Sequence, residues 1–181
     1  MRINGHGHIL PEPSQIPAFM REKKLFWIDD DKKFMRQADW SRPINGASFF
    51  VKEKIEWMDQ HNIDHGVMLC LSQLYCNGWK KQDCFDGIQF QNDFNASVQN
   101  DYPQKFTCGF VVQPMYIEHA LKEIERCVKL ISDSKISTIY VGENIPFGLN
   151  LQPYEAWITS PTESLIDKID KLGISVKYCS N

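Results

Sequence analysis

The sequence predicts an α/β fold, on three observations. Helical and strand-like segments alternate along the chain, the strand-like segments are short apolar runs, and the helical ones carry a single apolar face. Strands buried on both faces read as near-continuous apolar runs, and joining them through helices makes them parallel with right-handed crossovers.

The elements follow in chain order. A strand stub at residues 2–5 leads into "GHGH". Residues 48–61, "SFFVKEKIEWMDQH", put Val51, Ile55 and Met58 on one helical face, with Lys52, Lys54 and Glu56 elsewhere. "IDHGVMLCLS" at 63–72 is a buried strand, and Phe90, Phe94 and Val98 then recur at helical spacing until "DYP" ends the helix. "FTCGFVVQP" at 106–114 is the next strand.

The clearest helix runs through Ile117, Ala120, Leu121, Ile124, Cys127, Val128 and Ile131, with Glu118 placed to pair with Lys122 and Glu125 with Lys129. "ISTIYV" at 136–141 reads as a strand and residues 142–161, rich in glycine and proline without a period, as a long loop or insertion. Residues 162–173 form a helix closed by Gly173, and "ISVKY" is a last strand. About five strands result. A parallel sheet of that size is either doubly wound or part of a barrel, because a complete (β/α)₈ barrel needs eight strands and typically about 250 residues.

Composition limits the function. The chain has 181 residues, 43% of them hydrophobic and 24% charged, which suits one domain with a sizeable core and no interdomain linker. A formal net charge of -3, with lysines scattered among acids, argues against nucleic acid as a partner. No apolar run approaches a membrane span and no leader-like start is visible, so a soluble, cytoplasmic protein is expected. Six spread cysteines without a C-x-x-C pair are expected to be reduced thiols.

The chemistry points to the start of the chain. In an extended segment side chains alternate faces, so His6 and His8 share one, with Gly5 and Gly7 leaving room beside them. Two neutral imidazoles on one face are half of a site for zinc or a similar divalent ion. An H-x-H pair is a weak signal alone, and its place at the end of a first strand strengthens it, because barrel chemistry sits at the C-terminal ends of strands. His61, His65 and His119 are expected to be structural or surface residues.

"INGHGHILP", "IEWMDQHNIDHGVMLCLS", "FQNDFNASVQNDYPQKFTCGFVVQP" and "HALKEIERCVKL" are several blocks in fixed order and spacing. Together, over about residues 1–130, they resemble the amidohydrolase superfamily, in its branch of 2-amino-3-carboxymuconate-6-semialdehyde decarboxylase and related carboxy-lyases. The resemblance implies a partial (β/α)₈ barrel over 1–181, about the first half of the family's, with residues 131–181 divergent or truncated. It implies a non-oxidative decarboxylase of an unsaturated or aromatic acid, with zinc or another divalent metal on His6 and His8 and no organic cofactor. Asn4 replaces the aspartate that usually opens the motif.

The family grips the substrate carboxylate with an arginine ahead of a tryptophan, and "KKFMRQADW" offers Arg36 for a bidentate guanidinium or Lys33 for simple charge attraction. Cys179 and Ser180 stand where the family has a His-Pro that supplies a further ligand, so Cys179 is the substitute the sequence offers. The family's later His-Gly-Gly and Asp blocks have no match. Two other readings stay open: a metal-dependent hydrolase of the same superfamily, and a non-catalytic remnant or interaction module. The expected partners are a small carboxylated substrate and either a second copy or a completing chain, with neither nucleic acid nor membrane.

Overall fold

The structure, a computed structural model, describes residues 1–44, 50–76 and 78–130 together with two further strands, Thr138–Val141 and Ser175–Lys177. The expected helix 162–173, the 142–161 segment and Cys179 lie outside the described residues.

The first parallel sheet is built from β1 (Ile3–His8), β5 (His65–Leu69) and β6 (Phe106–Cys108) in that spatial order. A second holds β7 (Phe110–Val112), β8 (Thr138–Val141) and β9 (Ser175–Lys177), again parallel. β6 and β7 are separated by Gly109 alone, so the predicted strand 106–114 exists and breaks at its glycine. The parallel strands thus succeed one another in chain order. A doubly wound sheet reverses its order at a switch point, so this progression is the barrel alternative.

Three helices cover one side of this arc. Helix α2 (Val51–Gln60) ends where Asn62 takes the left-handed conformation, φ 54°. There Ile63 N–H donates to the Met58 carbonyl and Asn62 N–H to that of Asp59, the reciprocal pair of a Schellman stop, which turns the chain into β5. Helix α3 (Lys81–Asp101) is longer than its Phe90, Phe94 and Val98 spacing implied, and α4 is Ile117–Leu130. Met58, Phe94 and Val98 pack with Ile9, Met68, Phe106 and Cys108 between α2, α3 and the first sheet. Ala120, Ile124 and Cys127 of α4 close over Phe110 and Val112.

The face of α3 turned to the sheet is rich in amides. Asn92 exchanges both hydrogen bonds with the backbone of Val111, its Nδ2 donating to the carbonyl and its Oδ1 accepting from the N–H, each at 2.9 Å. Asn95 Nδ2 donates to the Gly109 carbonyl at 2.6 Å, and Gln99 Oε1 accepts from Cys108 N–H at 2.7 Å. A strand broken at Gly109 leaves buried peptide groups without a ladder partner, and each such group costs about 1–3 kcal/mol if unpaired. The three amides occupy those positions.

Between β1 and α2 the chain makes an excursion to which the sequence reading assigned no helix or strand. It contains α1 (Ala18–Glu22) and an antiparallel meander of β2 (Trp27–Ile28), β3 (Phe34–Gln37) and β4 (Trp40–Pro43). Phe26, Ile28 and Met35 bury against Leu10, Phe50 and Leu74, which ties the excursion to the ends of β1 and β5.

Candidate metal centre

The register between β1 and β5 shifts within β1. Asn4 lies opposite Gly66 and Gly7 opposite Met68, so Gly5 and His6 together face Val67. Asn4 supports the irregularity, its Oδ1 accepting a hydrogen bond from His6 N–H at 3.2 Å, a side chain reaching two residues along its own backbone. The shift decides which way the histidines point. In unbroken register His6 would pair with Met68, on the helix-covered side. With the extra residue His8 pairs with Leu69 instead, and both imidazoles turn away from the helices.

His6 Nε2 and His8 Nε2 stand 3.3 Å apart, their rings edge to face at 88°. Two nitrogens on a tetrahedral ion at about 2.0–2.1 Å each are separated by roughly 3.3 Å, so the pair already has the spacing of two zinc ligands. His8 Nδ1 donates to the Leu69 carbonyl at 3.1 Å. A carbonyl only accepts, so that bond places the ring proton on Nδ1 and leaves the Nε2 lone pair directed at the shared face. Burial lowers the His8 pKa, and the charges of His6, Lys54 and Arg42 lower it further against the Leu69 bond, which raises it. Its neutral, ligating form is the favoured one.

These donors fit a divalent ion as half of its coordination. Among the described residues no three His, Cys, Asp or Glu side chains are gathered as a complete metal site.

The two carboxylate candidates are placed but engaged. Arg36 on β3 grips Asp29, with Nε 2.8 Å from both carboxylate oxygens and Nη2 at 2.7 Å. The ammonium of Lys33 lies 3.3 Å from Asp31 in the turn between β2 and β3. Two cations that sequence reasoning passed over bear on His8 instead. Arg42 sits on β4, and Lys54, expected on the polar side of α2, is buried behind β1 with its ammonium over the Trp57 ring. The helical period did place Lys54 on the stripe of Val51 and Met58, and its charge masked that.

The remaining histidines serve locally. His61 stacks on Trp57, His65 bonds the Gln104 carbonyl and Thr107 Oγ1, and His119 stacks on Phe85 with ring centroids 3.6 Å apart.

No protein-family model matches the chain. A 2-amino-3-carboxymuconate-6-semialdehyde decarboxylase of Dictyostelium discoideum is 25% identical to it, over 97% of this chain and 48% of the relative. Among solved structures, the 5-carboxyvanillate decarboxylase of Sphingomonas paucimobilis superposes with a TM-score of 0.64 at 14% identity, covering 97% of this chain and 50% of that one. The fold is one shared with about half of such a decarboxylase chain. A dihydroxybenzoic acid decarboxylase of Polaromonas, solved with bound manganese and the inhibitor 2-nitroresorcinol, superposes with a TM-score of 0.59 at 15% identity, covering 97% of this chain and 48% of that chain. The chain therefore spans about half the length of the decarboxylases it matches.

Proposed function

We propose that this chain carries the first metal-binding strand of a non-oxidative decarboxylase, which acts on an aromatic or unsaturated acid through a divalent metal and no organic cofactor. The observation that supports this most directly is the 3.3 Å approach of His6 Nε2 to His8 Nε2 at the C-terminal end of β1. The similar chains are decarboxylases, and one of them holds manganese.

Each group has a part in this reading. His6 and His8 hold the metal, zinc or manganese, and the Leu69 carbonyl keeps the His8 ring turned to it. When bound, such an ion lowers the pKa of a water and polarises a substrate oxygen. The charges of Lys54 and Arg42 beside His8 make the surroundings positive, which favours a carboxylate there. Arg36 and Lys33 remain candidates for the carboxylate grip, and each would have to exchange its aspartate for the substrate. Cys179 remains the proposed third ligand.

The reading is tested by loading the purified chain with zinc and with manganese and measuring bound metal by elemental analysis. Replacing both His6 and His8 with alanine should abolish the uptake, and a double variant that keeps the parent's metal overturns the assignment. Following carbon dioxide release against ring opening or ester cleavage separates a decarboxylase from a hydrolase. A non-catalytic module is the second reading, favoured by the two-ligand count among the described residues; failure of the parent chain itself to bind metal would support it.

A further inference from the structure

The segment that follows β5 folds back onto the start of α3 and brings two thiols together. The Trp79 ring and Cys76 Sγ lie 2.6 and 2.9 Å from the point where a side chain on Gly87 would begin, so the two together fill the notch that this glycine leaves in α3. Cys84 sits three residues earlier on the same helical face, where neighbouring side chains meet. Both cysteines are buried in one cluster with Trp79 and Ile88, and each thiol lies close enough to shift the other's pKa.

The backbone at Cys76 is unusual as well. Its φ is +63°, in the left-handed region that residues with a Cβ avoid, and Gly78 two residues on has φ +70°. Strained non-glycine residues cluster at functional positions, where the surroundings hold them. Here the left-handed backbone accompanies a side chain that packs against α3.

We propose that Cys76 and Cys84 are a redox-active dithiol, oxidised to an intramolecular disulfide by hydroperoxides.

Cys84 is the thiol that attacks. It lies in the first turn of α3, where unpaired N–H groups favour a thiolate, and the hydrogen bond from Cys76 lowers its pKa against the effect of burial. The Cys76 proton has two acceptors within reach, the Leu74 carbonyl at 3.3 Å and the Cys84 sulfur. The other described cysteines are held protonated: burial pushes the Cys108 thiol up to about 12, and those of Cys70 and Cys127 upward as well.

The chemistry closes without another reagent. The Cys84 thiolate attacks one oxygen of hydrogen peroxide, the O–O bond breaks, and the departing hydroxide takes a proton to become water, leaving a sulfenic acid on Cys84. The Cys76 sulfur then attacks the Cys84 sulfur. An S–S bond forms, the S–O bond breaks, and the hydroxyl leaves as a second water with the Cys76 proton. The two thiols lose two electrons and the peroxide gains them.

The full chain is treated with hydrogen peroxide, unfolded in the presence of an alkylating agent, and cut at Lys80 and Lys81, which lie between the two cysteines. Only a disulfide then keeps the Cys76 and Cys84 peptides together. We expect that linked pair as the first product, with two fewer alkylated thiols per chain, and its loss in Cys84→Ser and in Cys76→Ser. An unchanged thiol count overturns the proposal, as does a cross-link that joins Cys70, Cys108 or Cys127 instead. Should either variant fail to fold, the cross-link map of the unsubstituted chain decides alone.

Discussion

Gly7 and Met68 face each other across the β1–β5 ladder, on the side of the sheet opposite His6 and His8. A Cβ built on Gly7 would lie 2.8 Å from the Met68 methyl carbon and 3.3 Å from the Lys54 ammonium. The glycine between the histidines thus makes room behind them. Gly7→Ala should cost about 1–3 kcal/mol as overpacking, and Met68→Ala alone about 2–5 kcal/mol as a cavity. Because one change fills the space the other empties, the double variant should be more stable than the sum of the two losses predicts. Chemical unfolding of the four proteins checks this, and simple additivity would show that β1 moves to absorb the methyl group.

Asn92 offers a second test. Its amide completes the backbone of Val111 on both sides and also donates to Glu123 Oε1 at 2.8 Å. Asn92→Asp removes the donor and sets a carboxylate against Glu123, so it should be worse than Asn92→Ala, which leaves the buried peptide groups unpaired at about 1–3 kcal/mol each. Urea midpoints of the two variants should fall in that order at neutral pH. The gap between them should narrow in acid, where the new carboxyl takes up a proton.

The same amides show what was legible in the sequence and what was not. Apolar period located α2, β5, α3 and α4, because those elements bury a hydrophobic face and hydropathy reports it. It missed the first turns of α3, whose buried face includes Asp83, Gln91, Asn92, Asn95 and Gln99 as well as Ile88 and Phe94. Polar residues that satisfy a broken strand look like surface until the strand is seen. The β2–β4 meander was invisible for a different reason: Phe34–Gln37 and Trp40–Pro43 are short strands, the second exposed along its length, whose pairing depends on turns at Lys32 and Ala38, both at positive φ. His6 and His8 were legible because strand alternation fixes a shared face, although the bulge that selects the face could not be read. Arg36 and Lys33 were read without Asp29 and Asp31, which hold them.

Glu123 makes the third prediction. It is buried between Asn92 and Arg126, whose Nη2 lies 2.7 Å from Oε1, while Nη1 of the same guanidinium reaches Asp93. Burial alone raises the Glu123 pKa, but the hydrogen bonds from Arg126 and Asn92 outweigh it and the carboxyl sits below its ordinary value. A depressed folded pKa contributes stability that is fully present above the unfolded value, about 4.3, and is lost as pH falls through the folded one. Thermal midpoints should therefore hold down to about pH 5 and then fall, more steeply in the parent than in Glu123→Gln. Parallel curves for the two would remove Glu123 from the acid transition.

The sheet order gives a fourth prediction. Among the described residues β1 pairs only with β5 on one side, and β9 only with β8. Among the described residues each of these strands therefore has one side without a ladder partner, and such edges recruit another chain. The isolated protein should self-associate, with a sedimentation coefficient that rises with concentration. A monodisperse monomer across the range would mean that other parts of the molecule cover both edges.

The last prediction concerns turnover. Catalytic zinc normally has three protein ligands and an open position, and among the described residues His6 and His8 supply two. A metal so held should exchange readily and be stripped by a mild chelator. The resemblance assigns proton transfer to a later histidine that has no match in this sequence, and a positioned acid or base is worth typically ~10²- to 10⁴-fold in rate. The zinc- or manganese-loaded chain should thus release carbon dioxide from 2-amino-3-carboxymuconate semialdehyde at least about a hundredfold more slowly than a full-length relative assayed beside it. Activity within tenfold of that control would mean that residues beyond 130 complete the site. Cys179→Ser is then the first variant to make, since loss of both metal and turnover in it would identify the third ligand.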